Sequence, residues 1–394
     1  VIALALTACG AGSASSGGSA ASCSTAKDSA ALQWGAIPDS LNAKTTVPPI
    51  SQMTIRGDDL GTKQKLKPVW WNTVKVSTQQ AEAICKKKLT AVILDWDKVQ
   101  YNLTLRAGIG NVLDALGIKL LRTTSFNFDP NGLAGDLAAI LPLHPDIIFT
   151  GGTIDPNQFA ALMAPATQAG IQVVSWNTGA RQWDTGQGKP LTAMVAYDFY
   201  NLGQQMAEAI HEKYPNGANF GYIHWINNVL PIHLRETGLL DGLKKYPNIK
   251  VISDGKADPG SANGFNDPNA AQAATQAFLI RHPEVNVLFA PWEDPPGVGE
   301  EAALKSLHKE NSVDIVTMDL GAQGAAELAG NGPITVDMAE GIYDGGRVEA
   351  MLAGLAAIGV KTPPFVLVPT YAANQKNLTD AWNFMHGPAF PCCS

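Results

Sequence analysis

The chain states one pattern twice. Asp129-Pro130-Asn131 is followed, fifteen residues after the Asp, by His144-Pro145-Asp146 and then by Ile147-Ile148-Phe149. Asp267-Pro268-Asn269 is followed at the same spacing by His282-Pro283-Glu284 and then by Val287-Leu288-Phe289. Both copies run on to an acid beside a proline, Asp155-Pro156 in the first and Glu293-Asp294-Pro295 in the second. The offset of 138 residues is too long for a solenoid repeat and suits a whole domain. A chain of 394 residues built this way folds into two similar lobes, with its functional site in the cleft between them.

The content of each lobe follows from hydrophobic periodicity. Residues 25–76 are Pro-rich and irregular, with Val69-Trp70-Trp71 as a short apolar stretch. Ser77 and Gln80 have capping-box spacing and predict a helix from Ser77 through Cys85. Residues 91–94 read as a buried strand, and 105–116 as a helix closed by Gly117 at its C′ position. The alternation continues with strand 118–121, helix 132–143, strand 147–150, helix 157–169, and strands 171–174 and 191–196. A second series opens with helix 200–213. It continues with strand 219–224, helix 233–245, strand 249–253, helix 268–281, strand 286–290, helix 299–308 and strand 314–318. Helix 322–329, a strand near 333–338 and helix 343–358 follow. Short apolar strands alternating with helices predict an α/β fold, with two doubly wound, Rossmann-like parallel sheets.

In such sheets ligands bind beyond the C-terminal strand ends. The residues there are Trp96 and Asp97, then Tyr101 and Asn102, Asp155, Trp176 and Asn177 in the first half, and His224, Trp292, Glu293 and Asp319 in the second, with Arg235 early in the helix after His224. Taken singly, each has a structural reading. A Trp at a strand end packs an interface, and an Asp after a strand caps the next helix. Asp129 and Asp267 are assigned to capping, and His144 and His282, each before a proline, to turns. Together, the strand-end residues suit a sugar or polyol: aromatic faces pack on C–H faces, and carboxylates, amides and a guanidinium pair with adjacent hydroxyls.

Composition excludes several classes. A net charge of −7 leaves no basic footprint for nucleic acid. The cysteines show no CxxC and the seven histidines no HExxH, so neither a metal nor a cofactor is expected. There is no GxGxxG after a strand, no GxSxG and no GxxxxGK[ST]. The apolar stretch from Val1 to Leu6 ends in Leu6-Thr7-Ala8-Cys9 and resembles the lipobox of bacterial lipoproteins, with Cys9 as the lipidated residue. The Gly/Ser/Ala-rich residues 10–24 then form a tether. An exported chain permits disulfides among Cys23, Cys85, Cys392 and Cys393. Their pairing stays open, with a bond from the tail to Cys85 or Cys23 among the choices.

Further segments carry a family resemblance. Asp198-Phe199-Tyr200-Asn201-Leu202-Gly203, Arg235-Glu236-Thr237-Gly238, Trp292-Glu293-Asp294-Pro295, Val316-Thr317-Met318-Asp319-Leu320-Gly321, Glu340-Gly341-Ile342-Tyr343 and Asn377-Leu378 with Ala381-Trp382 resemble, in order and spacing, the type I periplasmic sugar-binding proteins of ABC transporters, the ribose-binding-protein-like group. The resemblance covers roughly residues 85–386. It implies a multi-strand hinge near 196–199, 337–341 and 365–370, and ligand contacts at Arg235, Asp319, Glu293 or Trp292, Glu340, Asp97, Asp155 and Asn177. Trp96, Trp176 and His224 complete the expected site. The domain reading is 1–9 signal-peptide end and lipobox, 10–76 tether and irregular extension, 77–196 plus 340–366 lobe 1, 197–339 plus 367–386 lobe 2, and 387–394 tail.

The function implied is that of a non-enzymatic, monomeric substrate-binding lipoprotein that delivers a small sugar or polyol to an ABC permease. It would be lipid-anchored at the outer face of the cytoplasmic membrane, or periplasmic. Acids facing mainly Arg235 disfavour an anionic sugar acid and favour a neutral ligand, with an amino-bearing one left open. The alternatives are a carbohydrate-active enzyme on the same fold, whose carboxylate separation sequence does not give, and a ligand-presenting partner of a sensor or chemoreceptor. A transcriptional regulator would need a helix-turn-helix where residues 10–76 offer a Gly/Ser tether and a Pro-rich stretch.

Overall fold

The computed structural model describes residues 30–42, 53–127, 129–151, 155–223, 230–253 and 267–390. Its strands form two sheets. The first comprises β1 (Val69–Trp70), β2 (Thr90–Asp95), β3 (Lys119–Ser125), β4 (Ile147–Thr150), β5 (Gln172–Trp176), β6 (Leu191–Tyr197) and, from far along the chain, β12 (Phe365–Val368). All are parallel, in the spatial order β1-β12-β6-β5-β4-β2-β3. The second comprises β7 (Ala218–Tyr222), β8 (Ile249–Ser253), β9 (Val287–Phe289), β10 (Asp314–Met318), β11 (Ile334–Glu340) and β13 (Thr370–Ala373). Its order is β13-β11-β10-β9-β7-β8, parallel except where β13 runs antiparallel to β11. Every residue of β4, β6 and β12 is buried, as strands covered by helices on both faces require.

The helices are α1 (Asp39–Asn42), α2 (Thr78–Lys86), α3 (Gln100–Leu116), α4 (Pro130–Ile140), α5 (Pro156–Gln168), α6 (Phe199–Lys213), α7 (Leu230–Leu243), α8 (Pro268–Arg281), α9 (Val298–Ser306), α10 (Ala322–Gly330), α11 (Ile342–Ala357) and α12 (Leu378–His386). The capping box of α2 is formed: Ser77 Oγ accepts from Gln80 N–H at 3.3 Å and Gln80 Oε1 from Ser77 N–H at 2.8 Å. The duplicated Asp residues are caps. Asp129 accepts from Asn131 N–H at 2.9 Å and Asp267 from Asn269 N–H at 2.7 Å. His144 takes a left-handed turn at φ 47°, and His282 ends α8.

Backbone passes between the sheets at three places: between Tyr197 and Phe199, between Glu340 and Ile342, and between Val368 and Thr370. One helix pair in each half packs backbone to backbone. A Cβ on Gly203 would lie 2.1 Å from Arg235 O, and one on Gly238 2.0 Å from Tyr200 O, so only glycines let α6 and α7 meet this closely. Gly108 and Gly346 do the same for α3 and α11.

The expected irregular extension is in part built into the fold. β1 is an edge strand of the first sheet, and Ile55, Leu60, Trp71 and Val74 are buried. Apart from Val69-Trp70-Trp71, the apolar residues of this segment are scattered among polar ones, so they give no period from which packing could be read. Arg347 on α11 donates to the carbonyls of Ala30, Ala31 and Gln33 and stacks on Trp34 at 4.6 Å. Cys85 is disulfide-bonded; Cys9, Cys23, Cys392 and Cys393 lie outside the described residues, as does the 10–24 tether. Among the described residues no helix is long and apolar enough to cross a membrane.

Candidate functional site

The two sheets point their C-terminal strand ends at one cleft of about 160 Å³. Val99, Gln100 and Tyr101, at the start of α3, line one wall; Glu293, Asp294, Asp319 and Gly321 to Gln323 line the other. Among the described residues no group of His, Cys, Asp and Glu could hold a metal ion.

On the first wall the loop after β2 is fixed by Asp97, which accepts from Val99 N–H at 3.1 Å and from Asn102 Nδ2 at 2.6 Å. Burial raises its pKa, and these two hydrogen bonds oppose the rise. Tyr101 is the centre of this wall. Its hydroxyl oxygen accepts from Trp176 Nε1 at 2.7 Å and from Asn177 Nδ2 at 3.0 Å. Two N–H donors fill both lone pairs, so the hydroxyl hydrogen is left to donate. Trp176 is fully buried and serves as a brace behind Tyr101. Asn177 is 2% exposed, and its Oδ1 has no partner.

On the second wall the Arg235 guanidinium donates to Pro291 O and, at 3.4 Å, to the Tyr197 hydroxyl, and lies 5.3 Å over the Phe199 ring. Glu293 accepts from Gly321 N–H and from Gly324 N–H, the latter at 3.0 Å, so its carboxylate caps α10. Asp337 lies beside it and accepts from Leu320 N–H at 3.0 Å. Glu340 is fully buried, with neither carboxyl oxygen partnered, and Asp319 Oδ1 is also unpartnered.

The electrostatics follow from burial. Asp319 is pushed up to about 7 by desolvation, with Arg235 pulling it down and Glu293 and Asp97 raising it further. Desolvation first, then the neighbouring Asp319, holds Glu340 well above the carboxylate range. Asp337 is raised in the same way by burial and by Glu293. Backbone strain marks the same place in both lobes. Asn177, directly after β5, has φ 64°, and Asp319, directly after β10, has φ 80°. Left-handed non-glycine residues cost free energy and gather at functional sites.

Several residues expected in the site are placed otherwise. Asp155 caps α5, accepting from Asn157 N–H and Nδ2, both at 2.8 Å, and does not line the cleft. Trp96 lies against Gly151, where a Cβ would be 2.2 Å from the indole. Trp292 packs against the apolar core rather than lining the cleft. Arg235, Asp319, Glu340, Asp97 and Asn177 gather at the cleft or directly behind it, while Glu293 lines it with a carboxylate committed to α10. His224 lies outside the described residues. Sequence reasoning left out Tyr197 and Asp337, and named Tyr101 after the first strand without giving it a place in the site. Tyr197 ends β6 and could have been found by the strand-end rule. Asp337 lies inside a strand and carried no such signal.

Residues 90–354 match the family model described as the periplasmic binding protein domain. No curated protein matches the chain significantly by sequence. Solved structures share the fold. An ABC transporter solute-binding protein from Agrobacterium vitis bound to alpha-D-tagatopyranose is 19% identical with a TM-score of 0.66, covering 76% of this chain and 100% of its own. One from Actinobacillus succinogenes 130z with bound D-allose is 18% identical with a TM-score of 0.63, covering 74% and 99%. One from Mycobacterium smegmatis with bound glycerol is 18% identical with a TM-score of 0.62, covering 77% and 99%.

Proposed function

The chain belongs to the periplasmic binding protein family, and on that premise we propose that it is the substrate-binding protein of an ABC importer, taking a small sugar or polyol into the cleft between its lobes. One observation carries this reading. Polar groups from both lobes meet at the cleft, Tyr101 on one wall and Glu293, Asp294 and Asp319 on the other, and buried Asp319 Oδ1 and, behind Tyr101, Asn177 Oδ1 have no partner. Buried polar atoms without partners cost free energy that a polyhydroxylated ligand would offset. A ligand touching both walls binds the closed arrangement in preference to an open one, so closure follows from differential affinity. The bound carbohydrates and glycerol of the structural relatives support the same class of ligand.

The rest of the reading is that the protein works as a monomer, presents its closed form to a permease, and is held to the membrane surface through lipid on Cys9. The lobes divide at the three crossings, 77–197 plus 342–368 against 199–340 plus 370–386, a shift of one or two residues from the sequence reading. Tryptophan fluorescence titration against a panel of sugars and polyols tests the ligand class. Saturable quenching below millimolar concentration, weakened at least about tenfold by Arg235→Ala and by Asp319→Ala, is the expected result. Absence of binding across the panel, or variants that match wild type, would remove the carbohydrate assignment. Metabolic labelling with a fatty acid, lost on Cys9→Ala, tests the anchor.

A further inference from the structure

A buried polar link passes from lobe to lobe directly behind the cleft walls. Its centre is His386, the last residue of α12, which is fully buried, as are Thr104 on α3 and Leu320. Thr104 Oγ lies 2.6 Å from His386 Nδ1, and Leu320 O lies 2.8 Å from His386 Nε2. The bond to Leu320 stays inside the second lobe, and the contact with Thr104 crosses to the first. Both ends adjoin the cleft. Thr104 is one helical turn beyond Gln100 and Tyr101, and Leu320 stands between Asp319 and Gly321, all four of which line it.

The chemistry of the three groups fixes the direction of each bond. A carbonyl oxygen only accepts, so Nε2 carries the ring hydrogen that meets Leu320. Burial, opposed by that bond, pushes the pKa of His386 down to about 4. At neutral pH the ring is therefore uncharged, and Nδ1 is an acceptor. Thr104 donates to it. The single hydroxyl hydrogen of Thr104 has one other taker, Gln100 O at 3.0 Å in the same helix. Turning to that carbonyl would leave Nδ1 a buried acceptor without a partner, at a cost in free energy. The ring is also braced from the side. Trp382 packs on it with centroids 4.1 Å apart, and is itself fixed by donating from Nε1 to Phe390 O at 2.7 Å.

We propose that His386 is a positioning residue for ligand binding, holding the wall at the start of α3 and the loop that carries Asp319 at their closed separation through Thr104 and Leu320. It touches no ligand. Loss of the crossing bond shifts the lobes towards an open arrangement, and a ligand that needs both walls then binds less tightly. For the ligand the proposal rests on the sugar-binding reading above; for the link between lobes it has a readout of its own.

Thr104→Val keeps the side-chain shape and removes the hydroxyl, whereas Thr104→Ser keeps the hydroxyl. His386→Phe keeps a ring against Trp382 and removes both bonds. Small-angle scattering of the full chain without added ligand reads the lobe separation. Thr104→Val and His386→Phe, each checked for folding by circular dichroism, should show a larger radius of gyration than wild type, and Thr104→Ser the wild-type radius. In fluorescence titrations with D-allose, D-tagatose and glycerol, the first two variants should bind about tenfold more weakly than wild type, and Thr104→Ser within about twofold of it. A purely structural role would lower the thermal midpoint and move neither readout. A wild-type radius in either folded variant, or an unchanged affinity for a compound that wild type binds, would overturn the proposal. If wild type binds none of the three, the sugar-binding reading fails by itself, and the radius still decides this one.

Discussion

Glu300 offers a test of the electrostatics at a residue that does not itself line the cleft. It lies on α9, fully buried, with neither carboxyl oxygen partnered, and desolvation alone pushes its pKa up to about 8. An acid whose folded pKa exceeds its unfolded value keeps its proton in the native state while the unfolded chain has lost it. Its contribution to stability is therefore fullest below the unfolded pKa near 4.5 and falls as pH rises to about 8. The fall is about 1.4 kcal/mol per pH unit and on the order of 5 kcal/mol in all. Glu300→Gln keeps the shape and removes the titration. Urea unfolding of wild type and variant at about pH 5.5 and about pH 7.5 isolates this group, because every other titrating residue cancels in the difference. The variant should gain about 3 kcal/mol on wild type between the two conditions. A wild-type-to-variant difference that does not change with pH would mean that Glu300 is hydrated or paired in the native protein, and the desolvation argument would fail with it.

Two further substitutions separate scaffold from site. Asp155→Ala removes the cap of α5 and should cost about 1 kcal/mol of stability while leaving ligand affinity unchanged by titration; a loss of affinity would restore Asp155 to the cleft. Gly324→Ala places a Cβ 2.2 Å from Asp337 Oδ2 and 2.6 Å from Glu293 Oε2. Displacing that acid pair from α10 should lower stability by roughly 1–3 kcal/mol, read as a fall in the thermal midpoint, and an unshifted midpoint would show the pair to be loose.

Most of the elements were legible because their causes are local. Ser77 with Gln80, Gly117 and the two Asp-Pro-Asn caps fix helix ends by bonds that span a few residues, and the structure forms each of them. The site was legible only in outline. The strand-end rule selected Asn177 and Asp319, which lie at the cleft or behind it, and equally Asp155, Trp96 and Trp292, which do not line it, since a strand-end position does not say whether a side chain turns to the cleft or back to its own lobe; Glu340 came from the family resemblance alone. Glu293 shows the difficulty. Its role depends on Gly321 and Gly324, about thirty residues onward, offering N–H groups to it. Tyr101 was named after the first strand but given no role for a similar reason, as its partners Trp176 and Asn177 are some 75 residues away.

The N-terminal extension was the element least legible, and its place has a consequence for closure. The family match begins at residue 90, beyond this segment, yet the segment is fastened to the first lobe by regular bonds. Gly179 N–H donates to Leu60 O at 2.8 Å, Gln64 Nε2 to Asp184 at 3.1 Å, and β1 pairs with β12. Its links to the second lobe are lighter: the turn at 57–60 touches α7, and Ser40 Oγ bonds Asp380 on α12. A hinge opening would thus carry the extension with the first lobe and part it from α7. Leu60 is fully buried at the centre of the attachment. Leu60→Ala should therefore destabilise the first lobe by about 2–5 kcal/mol, seen as an earlier urea transition in which the pH-linked unfolding reported by Glu300 is left in place. A variant with wild-type unfolding would show the extension to be an appendage, and the argument that it moves as part of the first lobe would be lost.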